Sequence, residues 1–160
     1  MIFLCLGTQE FQFDRLLIEV DKLIKNGIII EEVFAQIGFS EYIPVGFEYR
    51  DFVDFDEFNL LLAECRYVIT HGGTGTIIKA LKKGKKVIAL PRLKKYGEHV
   101  DNHQKEIISM FSEKSLVYGL EDVSELEQAV KSIDIFCPEP FKSGNSKIIS
   151  IINEFIKNCN

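Results

Sequence analysis

The stretch Thr70-His71-Gly72-Gly73-Thr74-Gly75-Thr76 carries the densest chemistry in the sequence. It follows a short apolar run and precedes a segment of helical spacing, so it reads as a strand-to-helix turn. Three glycines in four positions let the backbone approach a ligand closely. The free N–H groups and dipole of the following helix favour an anion there. Thr74 and Thr76 offer hydroxyls that either cap the helix or donate to phosphate oxygens. A plain turn with a threonine cap is the simpler reading, and spacing alone weighs anion binding above it. The loop is not a Walker A motif, which needs four residues between its glycine and Gly-Lys-Ser/Thr. Nor is it GxGxxG, because Ile78 stands at the third glycine position. ATPase and dinucleotide readings lose their main support.

A second polar run, Pro91-Arg92-Leu93-Lys94-Lys95-Tyr96-Gly97-Glu98-His99-Val100-Asp101-Asn102-His103-Gln104, follows another apolar segment. Its mixture of donors and acceptors suits recognition of hydroxyl groups. His99 and His103 are four apart, a spacing that places two imidazoles on one face of a helix. No HExxH glutamate accompanies them, and the helix is expected to begin only near Asp101, so no metal is expected. A third candidate is Gly7-Thr8-Gln9-Glu10, a glycine turn at the same edge, for which an ordinary tight turn is an equal alternative.

These residues need elements to position them. Residues 1–6 are wholly apolar, as in a strand buried on both faces. Phe13, Leu16, Leu17, Val20, Leu23 and Ile24 then recur at helical spacing as far as Asn26-Gly27. Strands are expected at 32–37, 47–53, 67–70 and 86–90, with a further short one at 116–118. Asp54 with Glu57 three residues later marks a helix start, and Phe55, Phe58, Leu61 and Leu62 give that helix its stripe. Further helices are expected from 76 to 84, 101 to 111, 123 to 133 and 145 to 157. Strands alternating with helices predict an α/β fold: a Rossmann-like parallel sheet with helices on both faces, one domain over residues 1–160. Ligands bind such sheets where strand C-termini meet helix N-termini, and the unusual residues fall there.

Composition limits the partners. The chain has 160 residues, 46% of them hydrophobic, and a net charge of −5. No apolar run approaches the length of a membrane span, and Met1 is followed at once by apolar residues with no basic leader. A soluble, cytoplasmic protein is expected. Cys5, Cys65, Cys137 and Cys159 are widely spaced and read as reduced, mostly buried thiols. Between Lys79 and Lys95 stand eight basic residues and no acid. That run is either a solvated helix end and loop or a patch for phosphates, an anionic membrane or an acidic partner. Nucleic acid is not expected, since the overall charge is acidic and the run has few aromatics.

The motifs together resemble the PssE-type bacterial polysaccharide glycosyltransferases, of glycosyltransferase family 28 by its C-terminal domain. The related proteins are MurG and the catalytic subunit of the dolichol-linked UDP-GlcNAc transferase. The resemblance rests on Met1-Ile2-Phe3, Gly7-Thr8-Gln9-Glu10, Phe13-Asp14-Arg15-Leu16, Glu32-Val33-Phe34, Gln36-Ile37-Gly38, the 70–78 loop and the 91–104 run, in order. It implies the donor-binding half of a two-domain GT-B enzyme, with a membrane-associated, PssD-like partner subunit supplying the acceptor half. A UDP-sugar is implied as donor, with no cofactor, and a lipid-linked glycan as acceptor. Localisation is then cytoplasmic, peripheral at the inner face of the membrane.

By position, the resemblance implies that Gly72, Gly73, Thr74, Gly75 and Thr76, with His71, hold the diphosphate. Asn102, His103 and Gln104 would contact sugar hydroxyls, and the backbone at Phe52 and Val53 the uracil. Gly7 and Thr8 would lie across the cleft. Glu98 joins this donor-site set, and His71, Glu98 and His99 are the candidate bases. Lys79 is also in the donor-site set but departs from the pattern: it stands where MurG-like proteins have a glutamate that bonds the ribose hydroxyls, and an ammonium cannot accept those bonds. Either the ribose is held otherwise, or Lys79 contacts phosphate, or donor binding is impaired. A non-catalytic nucleotide-sugar-binding or regulatory subunit, and a nucleotide-binding module of unrelated function, are the rival readings.

Overall fold

Continuous burial along β1, β4 and β5 places apolar side chains on both faces of one sheet, and each face then needs a cover of helices. The computed structural model describes residues 1–141. Its strands are β1 (Ile2–Cys5), β2 (Val33–Gln36), β3 (Glu48–Arg50), β4 (Tyr67–His71), β5 (Lys86–Leu90) and β6 (Tyr118–Gly119). Its helices are α1 (Asp14–Lys25), α2 (Phe55–Glu64), α3 (Thr74–Lys82), α4 (His103–Glu113) and α5 (Leu126–Ser132). The strand order is β3-β2-β1-β4-β5-β6, and every pairing is parallel. This is the doubly wound, Rossmann-like arrangement expected of the sequence.

Ile2 and Leu4 of β1, with Ile69 and Ile88, pack against Leu16, Leu17, Val20 and Leu23 of α1 and against Leu126 and Ala129. Phe3, Cys5, Val68 and Val87 face the other way, onto Phe58 and Leu62 of α2, Ile77 and Leu81 of α3, and Ile108 and Phe111 of α4. The chain leaves β1 toward β2 and β4 toward β5, on opposite sides. A crevice opens at the C-terminal ends of β1 and β4 because no connection crosses there. Cys5 pairs with Thr70 across that boundary, so the Gly7 turn and the 71–73 loop face each other.

Several boundaries differ from expectation, each for a local reason. The helix expected from 101 begins at His103, because Asp101 Oδ1 accepts the His103 backbone N–H at 3.1 Å. The helix expected over 123–133 opens as a 3₁₀ turn at Val123–Glu125 and is α-helical only from Leu126. The β3 strand is confined to three residues, and the strand expected at 116–118 pairs instead at Tyr118–Gly119. Asp54 does cap α2, accepting from the Glu57 N–H at 2.8 Å. The helix expected at 145–157, and Cys159, lie outside the described residues. Cys5 and Cys65 are buried free thiols, whereas Cys137 is exposed.

The basic run does not form one patch. Lys85 Nζ donates to the carbonyls of Ala63 and Cys65, and Lys86 Nζ to those of Ile133 and Asp134. Both stand at the start of β5, the edge opposite the glycine loop. Arg92 is 0% exposed. Strand direction, invisible in a list of charges, disperses them.

Leu17→Ala should cost about 2–5 kcal/mol, since it opens a cavity beneath the sheet where no neighbour is free to collapse. The adjacent Ile18, 47% exposed, should tolerate alanine within about 0.5 kcal/mol. Urea unfolding of both variants checks the assignment of faces.

Candidate functional site

The cleft at the β1–β4 boundary has two adjoining compartments that share Gly7, Thr8, Gly75 and Thr76. The first, about 300 Å³, is also lined by His71, Gly72, Gly73, Thr74, His103, Gln104 and Ile107. The second, about 250 Å³, is bounded by Cys5, Gln36, Val53, Asp54, Phe55, Phe58 and Lys79. A larger hollow of about 480 Å³ between α4 and β6 is lined by Glu106, Glu113 and Glu121 against one lysine, Lys105. An anion would be repelled there. The hollow of about 550 Å³ beside α1 is mainly apolar. The feature suited to an anion, an uncapped helix N-terminus, is found at the glycine loop.

The N-terminus of α3 supplies it. Its N-cap is Gly73, with no side-chain cap, so the first-turn amides have no hydroxyl claiming them. The threonines do not cap this helix: Thr76 Oγ1 lies 3.7 Å from Cys5 Sγ instead. His71 sets the opening of the loop. Cβ atoms built on Gly7 and Gly73 would come within 2.5 Å and 2.3 Å of its ring. Gly7 also has φ +76°, a left-handed conformation that favours glycine. Thr70 Oγ1 donates to the Cys5 carbonyl at 2.7 Å, and His71 Nδ1 lies 3.5 Å from the same oxygen. Its proton therefore sits on Nδ1, and Nε2 carries a lone pair. Burial, with Arg92 close by, pushes the His71 pKa down to about 3.

Of the three candidate bases, only His71 lines the cleft, and its conjugate acid is too strong to hold a proton near neutral pH. Glu98 is spent elsewhere: one oxygen accepts from Arg15 Nε at 2.7 Å, the other from the Leu93 N–H at 2.8 Å. It is a buried structural counter-ion and not part of the cleft lining. His99 is buried against the Phe11 and His103 rings, also outside that lining. Its Nδ1 and that of His103 both meet the Asp101 carboxylate. These three groups lie close enough to share an ion, and Asp101 Oδ1 also accepts the His103 backbone N–H at the start of α4.

Gln104 is in the first compartment with a role beyond the one expected. Its Oε1 accepts from both the Gly72 and Arg92 N–H groups, at 3.1 and 3.0 Å. It staples the ends of β4 and β5 together and leaves only its Nε2 for a ligand. Asn102 does not line the cleft; its Oδ1 holds the Lys94 N–H at 3.0 Å. His103 does line it. Phe52 lines neither compartment, its ring lying edge-on to Phe39, while Val53 lines the second. The Val53 amide already donates to Gln36 Oε1 at 3.3 Å, so a uracil there would have to displace that bond. Gln36 itself was missed by sequence reading. Its Nε2 holds the Gly7 carbonyl at 3.1 Å, and its one signal was a lone amide inside an apolar strand.

A model of the glycosyltransferase family 28 C-terminal domain matches residues 1–155. The UDP-N-acetylglucosamine transferase subunit ALG13 of Kluyveromyces lactis is 27% identical over 112 residues, covering 70% of this chain and 48% of that protein. The chain thus spans about half the length of this curated relative. Among solved structures, the glycosyltransferase SnogD from Streptomyces nogalater aligns with a TM-score of 0.55 at 16% identity, over 86% of this chain and 40% of that one. The glycotransferase of kitacinnamycin aligns at 0.56 and 18% identity, over 82% and 34%. These two likenesses establish the fold: the chain matches one sheet domain of proteins more than twice its length.

His71 gives a pH signature. The unfolded residue titrates near 6.5 and the folded one near 3, so between these values the unfolded chain binds more protons. Stability rises with pH through that window and is lost as pH falls below about 6.5. His71→Asn should flatten the difference in unfolding free energy between pH 7 and pH 5 relative to wild type. Urea titrations at the two values measure it, and an unchanged slope would show that His71 is not held neutral by burial.

Proposed function

The chain belongs to glycosyltransferase family 28 by its C-terminal domain, and we propose that it is the donor-binding subunit of a two-component inverting glycosyltransferase. The reading assigns it transfer of a hexose from a UDP-sugar to a lipid-linked oligosaccharide in capsular or exopolysaccharide synthesis. The observation that carries it is the uncapped N-terminus of α3, facing a two-compartment cleft at the point where the strand order reverses. The name of the yeast relative, a transferase subunit, supports the same reading.

In the transfer, an acceptor oxygen forms a bond to the anomeric carbon while the bond from that carbon to UDP breaks. The acceptor's proton passes to a base, and negative charge grows on the departing diphosphate. The α3 amides are already aimed at that charge, so their stabilisation costs no reorganisation. The first compartment would take the sugar beside His103 and the Gln104 Nε2, and the second the nucleoside. Glu98 has both oxygens committed and His71, with its lowered pKa, is a weak base, which favours a base elsewhere, on His103 or on a partner. That partner is read as a membrane-associated, PssD-like subunit that carries the lipid-linked acceptor and keeps this chain at the inner face of the membrane. No metal or cofactor is needed in this scheme. A non-catalytic nucleotide-sugar-binding subunit is the second reading, favoured by the commitment of Glu98 and the depressed basicity of His71.

UDP at about 100 times its Kd should stabilise the chain by about 2.7 kcal/mol. Gly75 is the clean position for a test, because a Cβ there meets nothing within 4 Å. Gly75→Val should keep the melting temperature of the free chain and weaken UDP binding at least tenfold by calorimetry. Retained UDP affinity would refute the site. Transfer from a UDP-sugar panel to a lipid diphosphate-linked acceptor should require the partner subunit. Robust transfer by this chain alone would refute the two-component reading, and none with the partner present would favour the non-catalytic one.

A further inference from the structure

The second compartment contains two opposite charges that do not meet. Asp54, the N-cap of α2, spends Oδ1 on the Glu57 amide; its Oδ2 accepts no hydrogen bond among the described residues. Lys79, one turn into α3, forms no ion pair among them either. Its ammonium lies 4.8 Å from the centre of the Phe58 ring and 5.3 Å from that of Phe55. Both residues line the same hollow of about 250 Å³, yet no carboxylate oxygen of Asp54 comes within ion-pair distance of Lys79. Each is held back by its own task, Asp54 by capping and Lys79 by the two rings. Both side chains are exposed, and the hollow between them offers different chemistry at its two ends.

The carboxylate oxygen can only accept, so it calls for a hydroxyl or N–H donor. The ammonium can only donate, so it calls for an anion or a hydroxyl oxygen. At the open side of the compartment the hollow joins the uncapped amides of α3 across Gly75 and Thr76, which favour an anion. Cys5 contributes no charge, because burial pushes its thiol pKa up. A hydroxyl-bearing ring next to a diphosphate satisfies both ends at once. Resting on the donor-domain reading, we infer that Asp54 accepts from the vicinal ribose hydroxyls of a ribonucleoside diphosphate while Lys79 pairs with its phosphates. Asp54 thus becomes a specificity-determining residue and Lys79 a phosphate-pairing one. The carboxylate that reads the sugar ring of the nucleotide sits on α2, across the compartment from the lysine on α3.

The experiment uses the full chain, isothermal calorimetry, and two probes: UDP and 2′-deoxyuridine diphosphate. Asp54→Ser keeps a good helix cap, so α2 should survive it. Lys79→Met keeps an apolar stem on the two rings. Wild type should bind UDP about tenfold or more tightly than the deoxy probe, as expected for loss of a hydrogen bond to a charged group. Asp54→Ser should bind the two probes equally, because the 2′-hydroxyl then has no carboxylate acceptor. Lys79→Met should weaken both probes by a similar factor and keep the preference between them. Wild type without a preference, or an Asp54→Ser chain that still discriminates, would overturn the inference while leaving UDP binding intact. So would a Lys79→Met chain that loses the preference, because the lysine would then be the ribose contact. A folded wild-type chain that binds neither probe would overturn the donor-domain reading, and this inference with it.

Discussion

The His71 ring lies between Gly7 and Gly73 with no room for a Cβ on either side, and that contact sets the separation of the loops after β1 and β4. The ring cannot retreat, because Thr70 and the Cys5 carbonyl fix its Nδ1 side. It cannot charge at ordinary pH, because burial beside the Arg92 guanidinium penalises a second cation. A neutral wedge of fixed orientation therefore holds open the crevice that the strand order creates. Glycine at 7 and 73 follows from the wedge as much as from any ligand.

Around that wedge, many buried polar groups bond the backbone, although Arg92 Nε and Nη1, Arg15 Nη1 and His99 Nε2 have no partner among the described residues. Gln104 binds two amides from different strand ends, and Gln36 bridges the Gly7 carbonyl and the Val53 amide. Arg92 Nη2 reaches the Leu6 carbonyl at 2.8 Å, and Glu98 joins Arg15 to the Leu93 amide. An unpaired amide beneath a loop costs about 1–3 kcal/mol, so each staple holds a loop that lacks a ladder of its own. This economy explains why residues rich in chemistry turn out to be scaffold. Glu98 has the right type for acid–base work, but both its oxygens are committed. In the cleft itself, the groups that remain open include the uncapped amides of α3, the His71 and Gln104 nitrogens, His103 and the charges in the second compartment.

Such a cleft suits binding an activated donor better than completing a transfer. Helix amides and a lysine stabilise charge on a leaving diphosphate without needing a proton of their own. Deprotonating and orienting a second substrate is a separate demand, and positioning of that kind contributes on the order of 7–11 kcal/mol to barrier lowering. One sheet open to water at its carboxyl edge offers little to meet it. The proposed division of labour between two chains follows from this physical split.

Much of the fold could be read from order along the chain. Apolar runs of four to six residues alternating with helical stripes specify a parallel sheet, because each strand needs cover on both faces. The position of the glycine loop followed equally directly, since a turn between β4 and α3 is local in sequence. The Asp54 cap was legible for the same reason. What lay beyond the sequence was which side chain spends its polar atoms on a distant backbone. Glu98 meets Arg15 across 83 residues and Gln104 meets Gly72 across 32, and no local pattern encodes those meetings. Strand direction likewise sent Lys85 and Lys86 to the far edge from the loop their sequence neighbours serve. Sequence placed the glycine loop and the helix N-terminus behind it, because helix N-termini are local objects. Tertiary structure alone decided which neighbours remain free to act there, because hydrogen-bond capacity is shared among groups that only folding brings together.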